Sequence, residues 1–371
     1  MEIFADQPLR ANAHLAIFSS SKVGNFVVVT PLLRGLKQKY PDCTLDFFGS
    51  EITVEFELHC PYIDWRFSLY SDRADFLDTL AAAVRQRQQQ AGAYDLAINC
   101  DEFSEINLVM VTAIRPTYLA GAGLVPDFGR KLIDPKDPVQ AMLQDCDWHS
   151  NAFLDRHRAM LKTNYISEIF CRIAYVETDF FRLEVPSRSP DFPVPDVLIH
   201  GTATRRAKQW PLHHWLTVIR WCQDQRLTVG LIGSCSERQR QLYYGDELED
   251  QILTQTTAID LRGRTSLTQL AGALQAAKLC VTIDAGPLHI AAAVGCPTVA
   301  IFGNSATGEG ASPIRLWAPR QLHVKVALSQ FSCRLCEEQQ FKNRECLLPG
   351  HPCLEQVLPQ QVIQHMQELL A

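Results

Sequence analysis

The hexapeptide Asp284-Ala285-Gly286-Pro287-Leu288-His289 is the most chemically informative segment of the chain. It joins the apolar run Leu279–Ile283 to a helical segment, 288–294. Glycine at such a turn lets a ligand approach the backbone closely. Proline in the first helical turn removes an amide that has no carbonyl partner there. The amides and the positive dipole end of a helix start suit a phosphate. Asp284 and His289 flank that position with groups that bond sugar hydroxyls or phosphate oxygens. A plain strand-to-helix turn with a capping aspartate carries the same pattern.

Two other clusters bear chemistry. Asp101 and Glu102 follow the apolar run Leu96–Asn99, which places two carboxylates at the carboxyl end of a strand. That is a suitable position for a general base; the alternative is a solvated loop. Near the C-terminus Cys333, Cys336, Cys346 and Cys353 are spaced C-x2-C-x9-C-x6-C. Two residues between the first pair let two thiolates reach one tetrahedral metal, with His351 as an alternative fourth ligand. Zinc or iron would be structural there, folding a segment with little core of its own. Four reduced thiols in a loop are the other reading.

These groups need a scaffold, and strand and helix alternate throughout. A buried strand at 15–18 leads through the small-residue turn 19–24 into a helix carrying Leu32, Leu33, Leu36 and Tyr40. Pro31 either opens that helix, with Thr30 capping it, or kinks a helix begun near Asn25. A strand at 45–48, a helix at 76–90 and the strand Leu96–Asn99 follow. Pro186, Pro190, Pro193 and Pro195 mark 184–196 as a linker. A second series then opens: strand Val197–His200, helix 212–225, strand 227–232, helix 267–277 capped by Ser266, and the strands Leu279–Ile283 and Thr298–Phe302. Such unbroken apolar runs suit parallel strands covered on both faces. The expected fold is α/β with two Rossmann-like domains. Their parallel sheets would face a cleft, since open α/β sheets bind ligands at the carboxyl ends of their strands.

At 371 residues the chain exceeds the roughly 250–300 at which one core stops growing. A content of 47% apolar and 20% charged residues excludes a largely disordered chain. The net charge of −6 supplies no basic field for nucleic acid. No apolar run approaches the ~20 residues of a spanning helix. Residues 1–10 lack the basic and apolar regions of a signal peptide, so a reducing cytosol is expected. Its 13 cysteines are then thiols or metal ligands rather than disulfides.

The run D-A-G-P-L-H-I-A-A-A-V-G-C-P-T-V-A-I-F-G, from Asp284 to Gly303, resembles the D-T-G-P-x-H-x-A-A-A-x-G-x-P-x-V-x-x-F-G signature of glycosyltransferase family 9, the ADP-heptose:lipopolysaccharide heptosyltransferases. Ser19-Ser20-Ser21-Lys22-Val23-Gly24-Asn25, followed by T-P-L-L-R, resembles that family's opening loop. His200-Gly201, Lys208-Gln209-Trp210-Pro211 and Trp215 resemble the opening of its second domain. The resemblance implies a GT-B fold and inverting transfer of a heptose-like sugar from a nucleoside-diphosphate donor, ADP-activated by preference, to a glycolipid or other glycan hydroxyl. A catalytically silent nucleotide-sugar-binding protein, or a subunit of a larger assembly, is the alternative; a GT-B 2-epimerase is a third reading. Transfer of this kind needs no cofactor. A glycolipid acceptor implies a cytoplasmic enzyme in peripheral contact with a membrane. Four-cysteine tails occur in some members resembling this family, a few of them iron-binding, and a protein acceptor of autotransporter type fits such a tail.

Carried over by position, Lys208 would neutralise the diphosphate and Thr204 would bond a phosphate oxygen. Glu237 would accept from the ribose hydroxyls. Gly24 and the backbone of Asp284, Ala285, Gly286 and Pro287 would approach the donor, with His289 alongside. Asn25 departs from the family pattern: it stands where an aspartate removes the acceptor's proton, and an amide cannot take up that proton. Asp101 or Glu102 is the replacement base expected here. Ala285 stands in place of a threonine, and Ser19 where a basic residue usually ends the first strand, although Lys22 is near. The domains expected are 1–185 for the acceptor, a linker at 186–196, 197–355 for the donor, and a terminal helix in 356–371 that crosses back to the first domain in some such proteins. Asp145-Cys146-Asp147 spells the D-x-D of metal-dependent transferases of another fold, but no strand precedes it. His213-His214 lacks further ligands at metal spacing, and Arg205-Arg206 would add positive potential near the diphosphate.

Overall fold

The computed structural model describes residues 1–70, 76–134, 136–234 and 243–371. The chain divides into two compact units, Met1–Glu184 and Val185–Ala371. Each is built on a six-stranded sheet whose paired strands run parallel.

The first unit contains β1 (Glu2–Ile3), β2 (His14–Phe18), β3 (Thr44–Ser50), β4 (Trp65–Tyr70), β5 (Leu96–Asn99) and β6 (Tyr118–Ala120), in the spatial order β1-β6-β5-β2-β3-β4. Every residue of β2 and β5 is buried, as expected of strands covered on both faces. The order reverses at β2, which lies between β5 and β3. The loops after β2 and β5 therefore leave in opposite directions and open a crevice at their carboxyl ends.

The helix Val23–Lys39 begins directly after the β2 loop and carries Pro31 inside it. Proline has no amide for the carbonyl four residues back, that of Val27. The Thr30 hydroxyl donates to this carbonyl instead, at 2.7 Å, and accepts from the Glu184 amide at 3.1 Å. Thr30 thus repairs the helix interior rather than capping its start.

The second unit contains β7 (Val197–His200), β8 (Val229–Leu231), β9 (Ile259–Asp260), β10 (Leu279–Ile283), β11 (Thr298–Phe302) and β12 (Val324–Leu328), ordered β12-β11-β10-β7-β8-β9. The reversal recurs at β7, between β10 and β8. Strands β7, β10 and β11 are wholly buried. The proline-rich stretch lies along the helix Leu267–Ala276: the Arg188 amide donates to the Thr268 carbonyl at 2.9 Å. The last helix, Pro359–Leu370, packs on its own unit, against the helix Leu212–Asp224 and strands β10 to β12, with Val362 and Met366 buried. Among the described residues no helix is long and apolar enough to cross a membrane.

Candidate functional site

In the second unit Asp284 follows β10, and the loop carrying Lys208 follows β7. Because β10 and β7 are neighbours at the reversal point, two groups 76 residues apart meet: Lys208 Nζ donates to Asp284 Oδ2 at 2.6 Å. Ser312 Oγ donates to the same oxygen at 2.7 Å. Burial alone would raise the Asp284 carboxyl, but the ammonium and the hydroxyl outweigh it and hold it below the usual carboxylate range.

The helix Gly286–Ala293 starts beside this pair. Its N-cap, Ala285, is extended (φ −152°, ψ 174°) and makes no side-chain cap hydrogen bond. Proline sits in the first turn. His289 is buried, and burial pushes its imidazole down to about 4, against the pull of Asp284, so it is neutral at pH 7. Among the described residues its Nδ1 has no partner, and Trp317 stands edge-on to the ring at 6.1 Å between centroids. Thr204 is half-buried in the Lys208 loop. Glu237 lies outside the described residues.

The same reversal in the first unit places different chemistry. Gly24 is buried in the first turn of the helix Val23–Lys39, with Asn25 half-buried beside it. Asp101 and Glu102 follow β5, the neighbour of β2. The Asp101 amide donates to Asn99 Oδ1 at 3.0 Å, and the Phe103 amide donates to Asp101 Oδ1 at 3.3 Å. Burial raises the Asp101 carboxyl; the Phe103 amide and the nearby Lys22 ammonium oppose the rise. Lys22 caps the helix bearing Asn25, so the opening loop and the acidic pair are close in space. Burial pushes Glu102 up to about 7; Lys131 opposes this and Asp101 adds to it.

Of the four tail cysteines, Cys336 and Cys353 are buried and Cys333 and Cys346 half-buried. Burial, and then the proximity of Cys346, Cys336 and Cys333, pushes the Cys353 thiol up to about 12. The thiols are neighbours, yet no three of them lie within 4.8 Å of one another among the described residues. His351 faces the Ala207 carbonyl instead, at 3.0 Å. His213 and His214 do gain a neighbour, Glu355, at 3.4 and 3.7 Å, but the Nε2 of His214 is already on the Glu355 carbonyl at 3.0 Å. Asp145 of the D-x-D run is taken up by Arg156 and His157.

Residues 175–344 match the model of glycosyltransferase family 9 (heptosyltransferase). Over these residues the chain is similar to that family. Lipopolysaccharide heptosyltransferase 3 of Escherichia coli (strain K12) is 24% identical over 76% of this chain and 79% of its own length. The crystal structure of the glycosyl transferase family 9 from Veillonella parvula DSM 2008 superposes with a TM-score of 0.72, at 17% identity, covering 98% of each chain. The dodecameric iron-containing heptosyltransferase TibC, solved in complex with ADP-D-beta-D-heptose, superposes with a TM-score of 0.59 at 15% identity, covering 98% of this chain and 78% of its own. The fold is GT-B, α/β, with two parallel sheets.

Ser312 went unseen in the sequence, since nothing in its local pattern links it to Asp284, 28 residues upstream. Arg205 is held within the unit rather than solvated. Its donors go to the Asn343 carbonyl (2.8 Å), Asn343 Oδ1 (2.8 Å) and the Ala311 carbonyl (2.9 Å). A guanidinium so engaged fixes a loop rather than facing a phosphate.

Proposed function

We propose that this chain transfers a heptose-like sugar, with inversion, from an ADP-activated donor to a hydroxyl of a lipopolysaccharide-type glycolipid. The observation that carries the reading is the Lys208–Asp284 pair beside a helix start whose N-cap residue, Ala285, makes no side-chain cap bond. One N–H of the ammonium is on Asp284, which leaves two for diphosphate oxygens. As the bond to the sugar breaks, charge grows on the leaving diphosphate, and a fixed ammonium beside a helix N-terminus stabilises it with no reorganisation. Neutral His289 donates or accepts there without adding charge. Thr204 bonds a phosphate oxygen, and Glu237 accepts from the ribose hydroxyls.

The acceptor's proton goes to Glu102 or Asp101. A carboxyl near 7 is matched to base catalysis at neutral pH, and Glu102 is the better matched of the two. Asn25 then orients the hydroxyl it cannot deprotonate. Asn25 also favours a second reading, a protein that binds the donor and transfers nothing. Donor binding without transfer or donor hydrolysis would select that reading.

The four cysteines hold one structural metal, zinc or iron. The crowding of their thiols supports this, because a cation relieves the repulsion between thiolates. Metal analysis of protein purified without chelators tests it. The enzyme works in the cytoplasm, with peripheral membrane contact to reach a lipid-borne acceptor.

A thermal-shift series with nucleoside diphosphates and their sugars tests the central reading. A ligand that binds only the native state raises the melting temperature. ADP or an ADP-sugar is expected to raise it, and Lys208→Ala to abolish the rise. A flat response across the series overturns both readings.

A further inference from the structure

Lys208 ends a three-residue 3-10 turn, Arg206–Lys208, with no side-chain cap, and such a short element does not hold a side chain in place unaided. Its fixing contacts come from the cysteine segment. The Ala207 amide donates to the Arg344 carbonyl at 3.1 Å, and His351 Nε2 meets the Ala207 carbonyl at 3.0 Å. His351 itself sits in the left-handed region (φ 49°, ψ 54°), a costly conformation for a side-chain-bearing residue that persists where its surroundings over-determine it.

Arg205 makes the second set of contacts. Its guanidinium grips Asn343 twice and the Ala311 carbonyl once. Asn343 is in turn held by its Nδ2, which donates to the Glu345 carbonyl at 2.8 Å and to Cys336 Sγ at 3.2 Å. Ala311 precedes Ser312, the second partner of Asp284. One planar fork therefore ties together the Lys208 turn, the cysteine segment and the loop behind Asp284.

We propose that Arg205 and Asn343 are positioning residues for Lys208, and that the cysteine segment is the brace to which they anchor it. This rests on the reading that Lys208 meets the diphosphate. The brace fixes where the ammonium stands and leaves the nucleoside pocket alone. Damage to it therefore weakens the phosphate-dependent part of binding and spares the rest.

The test compares ADP with adenosine, measured by calorimetry or by competition, on the whole chain. In the wild type ADP is expected to bind far more tightly than adenosine. Asn343→Ala and Arg205→Lys are each expected to weaken ADP about fivefold, within the worth of one charge-assisted hydrogen bond, while adenosine stays within about twofold. Arg205→Lys keeps the charge and loses the fork, so it carries the test should Asn343→Ala fail to fold. Equal weakening of ADP and adenosine, or no change in either, overturns the inference and leaves the diphosphate reading intact. A wild type that binds ADP no better than adenosine removes the diphosphate reading, and the brace with it.

Discussion

The two units solve one topological problem and fill the solution differently. Each sheet reverses its strand order at the first strand of its main series, β2 or β7, and each opens a crevice between that strand and its neighbour. In the second unit the crevice is chemically closed: a buried carboxylate holds an ammonium and a hydroxyl, and the carboxyl is held below its usual range. In the first unit the equivalent place holds an amide, Asn25, and two carboxyls raised by burial. Charge in the second crevice is fixed in advance, whereas in the first Glu102 holds its proton to near neutral pH. The proposed function accordingly puts the diphosphate in the second crevice and proton transfer in the first.

The largest effect should come from removing that mobility. Asp101→Asn with Glu102→Gln is expected to lower the transfer rate about 10³-fold, within the range for loss of a general base. The wild-type rate should rise with pH through about 7 as Glu102 releases its proton, and this inflection should vanish in Glu102→Gln alone. Steady-state rates from pH 5.5 to 8.5 measure both. Unchanged turnover in the double variant would erase the contrast between the units.

Lys208→Ala attacks the fixed side. It removes the charge that meets the leaving group, for about 10²-fold in kcat/KM. It also strands Asp284, 8% exposed, without its cation. ADP affinity should fall in parallel, whereas the pH inflection near 7 should persist, because it belongs to the other unit.

How much of this was legible from sequence follows the same division. The strands, the Asp284–His289 turn and the proline break announce themselves by local pattern, since burial and backbone conformation act on neighbouring residues. Lys208 was found through its motif, but its pairing with Asp284 depends on strand order, which no local pattern encodes. Ser312 is joined to Asp284 by one hydrogen bond across 28 residues and Asn343 to Arg205 by two across 138, so nothing near them in the chain signals a role. Arg205 was read as field rather than as fork for the same reason. Asn25 was legible as a departure from the family, yet what compensates for it depends on how far Asp101 and Glu102 are buried, a tertiary property.

Two glutamates sharpen the comparison further. Glu249 is also raised, to about 8, first by burial, while the Gly201 amide and Arg262 oppose the rise. It is 1% exposed and accepts from the Gly201 amide at 3.2 Å, so its proton is structural where that of Glu102 is mobile. A folded value above the unfolded one means that the native state holds a proton the unfolded chain releases. This stabilisation is complete below about 4.3 and is lost as pH rises through about 8, for on the order of 5 kcal/mol. His200 and His289, both pushed down to about 4 by burial, act only below about 6.5. Urea unfolding between pH 7 and 8.5 therefore reads mainly Glu249. Glu249→Gln should flatten that slope without moving the rate profile, and Glu102→Gln should do the reverse.

The smallest expected effect concerns single hydroxyls in the second crevice. Thr204→Val removes one hydroxyl donor to an anionic phosphate, expected near the lower end of a charge-assisted bond, about 1–1.5 kcal/mol, or roughly five- to tenfold in ADP affinity. Ala285→Thr places a hydroxyl at the uncapped helix start and should gain no more than Thr204→Val loses, because a cap bond to its own helix competes with the ligand. Calorimetry with ADP on both variants measures the pair. If the crevice is fixed by its charges, both changes stay within tenfold and neither alters the pH dependence of transfer. A change of 10²-fold in either would mean that hydroxyls, rather than the Lys208 ammonium, hold the diphosphate, and the division of labour between the two crevices would have to be redrawn.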